Sequence, residues 1–252
     1  MSTSAEAPTV LKAENVSKEF DGVRIIEDIN IELRQGELVC LLGQSGVGKS
    51  TLFNVLSGLY VPETGSVEMQ GEDITGKPGK ISYMLQKELL LPYKTVLDNA
   101  ALPLIIKKTH SKKEAREAAS ALFEKFGLEG CQKKYPSQLS GGMRQRAALL
   151  RTYLSSQGAA LLDEPFSALD TLTKSAMHKW YLEIMEQIEL STLFITHDID
   201  EAVILSDRIY IMKGKPGRIT EEIKIDTPKP RSPDFNLSEE FLKYKRQIVA
   251  AL

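Results

Sequence analysis

Nine residues from Gly43 to Thr51 read Gly-Gln-Ser-Gly-Val-Gly-Lys-Ser-Thr. They fit the G-x-x-x-x-G-K-[ST] pattern, with an apolar run before and a helical run (Leu52–Leu56) after. Such a loop binds phosphate. Glycines let backbone N–H groups ring an anion, and the following helix adds its positive N-terminal end. Within it, Gly43, Gln44, Ser45, Gly46, Val47, Gly48, Lys49, Ser50 and Thr51 are candidate nucleotide-binding residues. Lys49 can reach β- and γ-phosphates, and Ser50 can offer its hydroxyl to Mg²⁺. Far along the chain, Asp163 and Glu164 follow the apolar run Ala159–Leu162. Asp163 suits a Mg²⁺ ligand, and Glu164 can polarise an attacking water.

These groups need elements that bring them together. Val39–Leu42, Ile81–Leu85, Ala159–Leu162 and Thr192–Ile195 are nearly continuous apolar runs, as expected of parallel strands covered on both faces. They are followed by Gly43, Gln86, Asp163, and Thr196 with His197. In parallel α/β sheets, ligands bind outside the carboxyl ends of strands. Chemistry spread over the chain therefore converges on one edge. Leu11–Val16 and Ile25–Leu33 alternate apolar and polar residues like half-buried antiparallel strands, and Val67–Met69 joins them. Residues 1–9 read as a loose tail.

Between Gln86 and Ser140 the pattern turns helical. Ser111–Gly127 carries Ala115, Ala118, Ala119, Leu122, Phe123 and Phe126 at helical spacing, with Ser111 and Glu114 as a capping box and Gly127 as a stop. Met143–Ser155 and Thr171–Met185 read as further helices. Thr227–Pro233 reads as a linker. Asn236 or Ser238 then caps a last helix, with Phe241, Tyr244, Ile248 and Leu252 along one face.

Taken singly, several further residues stay ambiguous. Ser140 with Gly141 and Gly142 is a capped helix start whose glycines admit close approach of a backbone or phosphate. Gln86 is a polar strand terminus. His197 sits at a strand end, as Asp163 does. Phe20 is a strand-end aromatic before a turn, and Asp170 lies in an ordinary-looking turn.

The octapeptide Leu139-Ser-Gly-Gly-Met-Arg-Gln-Arg146 lies between the phosphate loop and the Asp163–Glu164 pair. With both, the chain resembles the ATP-binding subunit of an ABC transporter, from Val10 to the final helix. The resemblance implies an α/β phosphate-loop NTPase core with a mostly parallel sheet, an N-terminal antiparallel β lobe and an inserted α-helical lobe. It implies one ATPase domain over residues 10–252. Residues 10–86 and 157–225 form the core, 87–156 the helical lobe, and 226–252 the C-terminal linker and helix. It implies ATP and Mg²⁺, with Glu164 as general base and Gln86 touching Mg²⁺ and water. His197 then contacts the γ-phosphate, and Phe20 stacks on adenine. Ser140, Gly141 and Gly142 would grip the γ-phosphate held by an opposite copy, and Asp170 would lie in the loop joining the two sites. Gln44 and Gly158 stand where the family often has proline, and neither meets phosphate through its side chain.

Leu89–Asn99 with Leu102–Leu104 resembles the importer version of the surface that receives a permease helix. The tail from Pro230 resembles the nitrate/sulfonate/taurine branch, with thiamine-precursor importers closely similar. Tyr93 departs from the tryptophan common there. The partners implied are a second ATPase subunit, integral membrane permease subunits and, indirectly, a solute-binding protein. Two rival readings are a soluble non-transport ABC ATPase, which usually carries two units or a coiled-coil insertion, and an exporter or lipoprotein-release subunit. A third is a degenerate, non-catalytic partner, against which Lys49, Asp163, Glu164 and His197 all stand.

Composition agrees. Of 252 residues 42% are hydrophobic and 26% charged, ordinary values for a globular protein. A net charge of −2 argues against a nucleic-acid binder. Cys40 and Cys131 suggest neither a disulfide framework nor a metal site. Met1–Val10 lacks the features of a signal peptide, and no window approaches the roughly 18 apolar residues of a membrane span. The expected location is cytoplasmic, on the inner face of the membrane through a partner.

Overall fold

A computed structural model describes residues 7–232 and 234–252. The strands are β1 (Thr9–Phe20), β2 (Val23–Arg34), β3 (Leu38–Gly43), β4 (Thr64–Met69), β5 (Glu72–Asp73), β6 (Ser82–Met84), β7 (Ala159–Asp163), β8 (Ser191–Thr196), β9 (Arg208–Lys213) and β10 (Arg218–Lys224). The α-helices are α1 (Lys49–Leu56), α2 (Val96–Ile106), α3 (Lys112–Ser120), α4 (Gly141–Ser155), α5 (Thr171–Ile188), α6 (Ile199–Leu205) and α7 (Glu239–Ala251).

Two sheets share the strands. An antiparallel sheet has the order β2-β1-β4-β5. Its β1–β2 hairpin turns at Asp21-Gly22, where both residues have positive φ, as a tight two-residue hairpin turn requires. The alternation expected of β2 holds at Ile29, Ile31 and Leu33, then shifts to Ile26 across Asp28, which also has positive φ. Strand β1 begins at Thr9, so Thr9 is strand rather than tail; residues 1–6 of the expected tail lie outside the described residues.

The second sheet has the order β10-β9-β3-β8-β7-β6, with β9, β3, β8, β7 and β6 parallel and β10 antiparallel at the edge. Every residue of β3, β7 and β8 is buried. Their side chains alternate between two cores. Leu38, Cys40, Leu42, Ala160, Leu162 and Phe194 face the α-helices beyond α1. Val39, Leu41, Ala159, Leu161, Leu193 and Ile195 face α1 and the antiparallel sheet. The apolar runs are thus strands because both of their faces are covered. The run expected over Ile81–Leu85 is a strand only from Ser82 to Met84; Leu85 is 42% exposed, and Gln86 follows in a bend. Strands β9 and β10 are not among those expected from the sequence: β9 holds the apolar run Ile209–Met212 but ends on Lys213, and β10 is mostly exposed.

The expected Ser111–Gly127 helix is a regular helix only over α3. Both halves of its capping box form, Glu114 N–H to Ser111 Oγ at 3.3 Å and Ser111 N–H to Glu114 Oε2 at 2.8 Å. Beyond Ser120 the chain continues in tighter turns and stops at Gly127, whose φ is +64°. The apolar stripe survives the change, since Ala115, Ala119, Phe123 and Phe126 are all buried. Ser238, not Asn236, caps α7, by accepting from Phe241 N–H at 3.1 Å. Of the expected linker, Pro233 lies outside the described residues. Among the described residues no helix is long and apolar enough to cross a membrane.

Candidate active site

Parallel pairing of β3, β8 and β7 puts Gly43, Thr196 and Asp163 at the same end of three adjacent strands. A cleft opens there. Ser45, Gly46, Gly48, Lys49, Ser50 and Thr51 line one side, and Gln86, Asp163, Glu164 and His197 line the other. All four scattered polar groups therefore meet the phosphate-type loop, as strand-end logic requires.

The loop's backbone is built around glycine. Gly48, which precedes α1, has φ +108°, a conformation that residues with a side chain rarely adopt. A Cβ there would lie 2.6 Å from Ile26 Cγ2. No side chain caps α1, so its first N–H groups face the loop. Lys49 opens the helix and is 8% exposed. Its Nζ donates to the carbonyls of Gly43 at 2.6 Å and Gln44 at 2.9 Å. Burial pushes this ammonium below the usual lysine value, while Glu164 and Asp163 pull it up. Val47 is buried beneath the loop rather than facing the cleft.

Asp163 ends β7 and is 9% exposed. Burial raises its carboxyl above the ordinary value. The hydrogen bond from Tyr83 Oη, at 3.3 Å, opposes that, Glu164 adds to it, and Ser50 opposes it again. Burial and the nearby Asp163 in turn push the Tyr83 hydroxyl well up. Asp163, Ser50 and Gln86 together present hard oxygen atoms. Among the described residues no cluster of three His, Cys, Asp or Glu could hold a metal alone. This sparse oxygen set fits Mg²⁺, which keeps several waters and is held by one or two carboxylates with substrate phosphates.

Glu164 has φ +44°, unusual for a residue with a side chain. Its N–H donates to Ile195 O at 3.0 Å, and its carbonyl accepts from Ser167 Oγ at 3.0 Å. The carboxylate is held from both sides. Gln86 Nε2 donates to Oε2 at 3.0 Å, and His197 Nδ1 lies 3.1 Å from Oε1. A carboxylate so aimed, across a cleft from a lysine and a ring of amides, can take a proton from a water beside a bound phosphate.

Phe20, Ser140, Gly141, Gly142 and Asp170 do not line this cleft. Phe20, 41% exposed, packs edge-on against Tyr60 at 5.3 Å, with Lys18 Nζ 5.1 Å from its ring. Ser140 caps α4 through Met143 N–H at 3.3 Å. Asp170 caps α5 through Thr173 N–H at 3.1 Å. The two helix starts touch: a Cβ on Gly141 would meet Leu169 at 3.3 Å, and one on Gly142 would meet Met177 and Thr173 at 3.5 Å.

Two supporting residues carry no sequence signal of their role. Buried Gln145, inside the octapeptide, donates to the Pro165 carbonyl just after Glu164. Arg151 donates to the carbonyls of Glu88 and Leu89, at 2.5 and 2.8 Å, and so holds the segment after Gln86 against α4. Both act on backbone carbonyls, which leave no side-chain signature in a sequence.

The ABC transporter family profile matches residues 26–167. Formylaminopyrimidine import ATP-binding protein ThiZ of Halalkalibacterium halodurans is 44% identical over 230 residues, covering 90% of each chain. Aliphatic sulfonates import ATP-binding protein SsuB of Bacillus cereus is 40% identical over 233 residues, covering 92% of this chain and 90% of that one. A solved dimeric ATP-binding cassette, in a post-hydrolysis state with ADP and Pi bound, matches with TM-score 0.72 and 29% identity over 86% of this chain and 100% of that one. With a match of this extent and a cleft of this make-up, the chain belongs to the ABC transporter family.

Proposed function

We infer that this chain is the ATP-binding and ATP-hydrolysing subunit of an ABC importer for a small solute. The observation that carries the reading is Glu164, held at 3.0 and 3.1 Å between Gln86 and His197 and facing the loop of Lys49. The importer assignment rests on relatives named as import ATP-binding proteins.

The backbone amides from Gly46 to Ser50 and the Lys49 ammonium take the β- and γ-phosphates. For that, Lys49 exchanges its loop carbonyls for phosphate oxygens. Asp163 and Ser50, with Gln86, would hold Mg²⁺, which when bound offsets charge on the β- and γ-phosphates. Glu164 takes a proton from a water. The water oxygen bonds to the γ-phosphorus as the bridging bond to ADP breaks, giving ADP and phosphate. His197 orients Glu164 and offers its exposed ring edge to the γ-phosphate.

Ser140, Gly141, Gly142 and Asp170 serve the cleft of a second copy, which is why they lie outside their own. Residues 87–156 act as a lobe that moves relative to the core, and 226–252 stay with the core. The exposed Leu89 (55%) and Tyr93 (73%) receive the permease, and through that partner the chain sits on the cytoplasmic face of the membrane. The solute does not touch this subunit.

Sizing chromatography with Mg²⁺ and a non-hydrolysable ATP analogue tests the completed site. The expected result is a shift to twice the monomer mass, lost in Ser140→Arg. A monomer at saturating analogue would refute the two-copy site.

A further inference from the structure

Behind the cleft, on the face of the sheet away from α1, α5 and α6 share a half-buried cluster of ionisable side chains. Lys174 and His178 are one turn apart on α5, and Glu201 is on α6. Lys174 Nζ lies 2.8 Å from Asp198 Oδ2 and 3.2 Å from Glu201 Oε2. His178 Nε2 lies 3.7 Å from the same Glu201 oxygen. Glu201 is 2% exposed and His178 8%. A carboxylate as deep as Glu201 needs a cation, and unpaired it would be costly; the Asp198 side chain, 34% exposed, shares that cation. Lys174 supplies it to both.

The backbone around the cluster leads to the cleft through Asp198 and to the Asp170 loop through Lys174. Lys174 N–H donates to the Asp170 carbonyl at 2.8 Å, so Lys174 is anchored to the loop that starts α5. Asp198 directly follows His197 and caps α6, its Oδ1 accepting from Asp200 and Glu201 N–H at 3.0 and 3.2 Å. Asp198 N–H donates to Thr196 Oγ1 at 3.1 Å. His197 Nδ1 then reaches Glu164. The ordinary outcome for an exposed Lys–Asp pair is a contribution near zero. This pair is different because its two ends sit on separate helices, one starting beside His197 in the cleft and the other at the Asp170 loop outside it. Burial works against both charges, yet the mutual hydrogen bond holds Lys174 above its usual value and Asp198 below its own.

We propose that Lys174 is a positioning residue. By bridging Asp198 and Glu201 it fixes the backbone of His197 relative to the Asp170 loop, and so sets the His197–Glu164 contact. The inference rests on the reading that His197 and Glu164 serve hydrolysis. Lys174 itself touches neither nucleotide nor water. Its loss lets α5 and α6 shift against one another, and misplacement of a reacting group by about 1 Å can cost up to about a hundredfold in rate.

The test is steady-state ATP hydrolysis by the full chain with Mg²⁺. Lys174→Met is expected to lower kcat about tenfold while KM for ATP changes less than twofold. Lys174→Arg is expected to recover most of the rate. Lys174→Met leaves Asp198 and Glu201 facing each other, so Lys174→Gln/Glu201→Gln, which removes the cation and one anion together, is measured alongside and is expected to show the same kcat loss. The premise is checked separately with His197→Ala, which is expected to lose most activity. Lys174→Met added to His197→Ala should then cost no further rate, since the contact it positions is already gone. A merely structural role would lower the melting temperature, leave kcat per folded molecule intact, and add its effect in the His197→Ala background. Either unchanged kcat in both Lys174→Met and Lys174→Gln/Glu201→Gln, or full additivity, overturns the proposal. Unchanged hydrolysis in His197→Ala overturns it by a different route, by removing its premise.

Discussion

Glu164→Gln isolates one chemical property at one position. Glutamine has nearly the same shape, so the two clamps survive. Its oxygen can accept from Gln86 Nε2 where Oε2 accepted at 3.0 Å. Its NH₂ can donate to His197 Nδ1 where Oε1 lay at 3.1 Å, provided the ring carries its proton on Nε2. The backbone bonds at Ile195 and Ser167 do not involve the side chain and persist. Two electrostatic changes oppose each other. The like charge that helps raise the Asp163 carboxyl disappears, and so does the opposite charge that helps raise the Lys49 ammonium. Stability should therefore change little, with Tm expected within about 2 °C of wild type, or under about 1 kcal/mol at this size. What is lost is the ability to accept a proton. General-base catalysis contributes about 10²- to 10⁴-fold, so kcat should fall by that factor. Phosphate release with saturating Mg-ATP measures kcat, and equilibrium binding of a fluorescent ATP analogue checks that affinity is kept within about threefold. A variant that binds ATP and hydrolyses it within tenfold of wild type would remove Glu164 from the proton-accepting role. A loss of binding together with rate would instead mean that the clamps hold the fold of the cleft.

Gly48→Ala should destabilise by about 1–3 kcal/mol, because φ +108° and Ile26 Cγ2 at 2.6 Å leave no room for a Cβ. At about 2–4 °C per kcal/mol, a melting curve should move down by roughly 2–12 °C, and nucleotide affinity should drop with it. Tyr83→Phe removes a donor that favours the ionised form of Asp163. The folded pKa of Asp163 then rises further, so the acid limb of the kcat/KM profile should move to higher pH, by about half a unit for a bond worth under 1 kcal/mol; an unmoved limb would mean that Asp163 does not control it. Phe20→Ala should raise KM for ATP roughly tenfold with kcat kept, since a base stacked on an aromatic ring is worth about 1–3 kcal/mol; an unchanged KM would leave the ring as packing for Tyr60 and nothing more.

Much of the site was legible because three of its strands are covered on both faces. Few arrangements besides a buried parallel strand produce a continuous apolar run that stops on one polar residue, and Gly43, Asp163 and His197 each stand within two residues of such an end. Gln86 reaches the cleft without standing at a strand end, since its strand stops at Met84 and the exposed Leu85 intervenes. The α3 region shows the limit of periodicity. Buried Ala115, Ala119, Phe123 and Phe126 keep one face whether the turns are α-helical or tighter, so the stripe survives while the helix boundary does not. Strand β9 is harder to see, although Ile209–Met212 is a buried apolar run: it ends on Lys213 before a turn, with no residue of a catalytic type to mark it as part of the site. The Lys174–Asp198–Glu201 cluster was illegible on different grounds. Its members are spaced like any charged helix face, and only the packing of α5 on α6 turns them inward.

The backbone at Glu164 links these threads. A side-chain-bearing residue with φ +44° costs of order 1 kcal/mol or more, and nothing in the local sequence asks for it. Glycine at this position would relieve the cost but would carry no carboxylate. Asp163, one residue earlier, must leave β7 pointing to Ser50 and the Lys49 side of the cleft. In an extended strand the next side chain would point to the opposite face, into a core. The left-handed turn at Glu164 breaks that alternation and brings a second carboxylate to the same cleft. It is secured by the Ile195 carbonyl, the Ser167 hydroxyl, and Gln145 on the following Pro165. Bringing two adjacent carboxylates to one cleft at the end of a buried strand therefore takes a strained residue between strand and loop, and the chain holds that strain with partners drawn from β8 and α4.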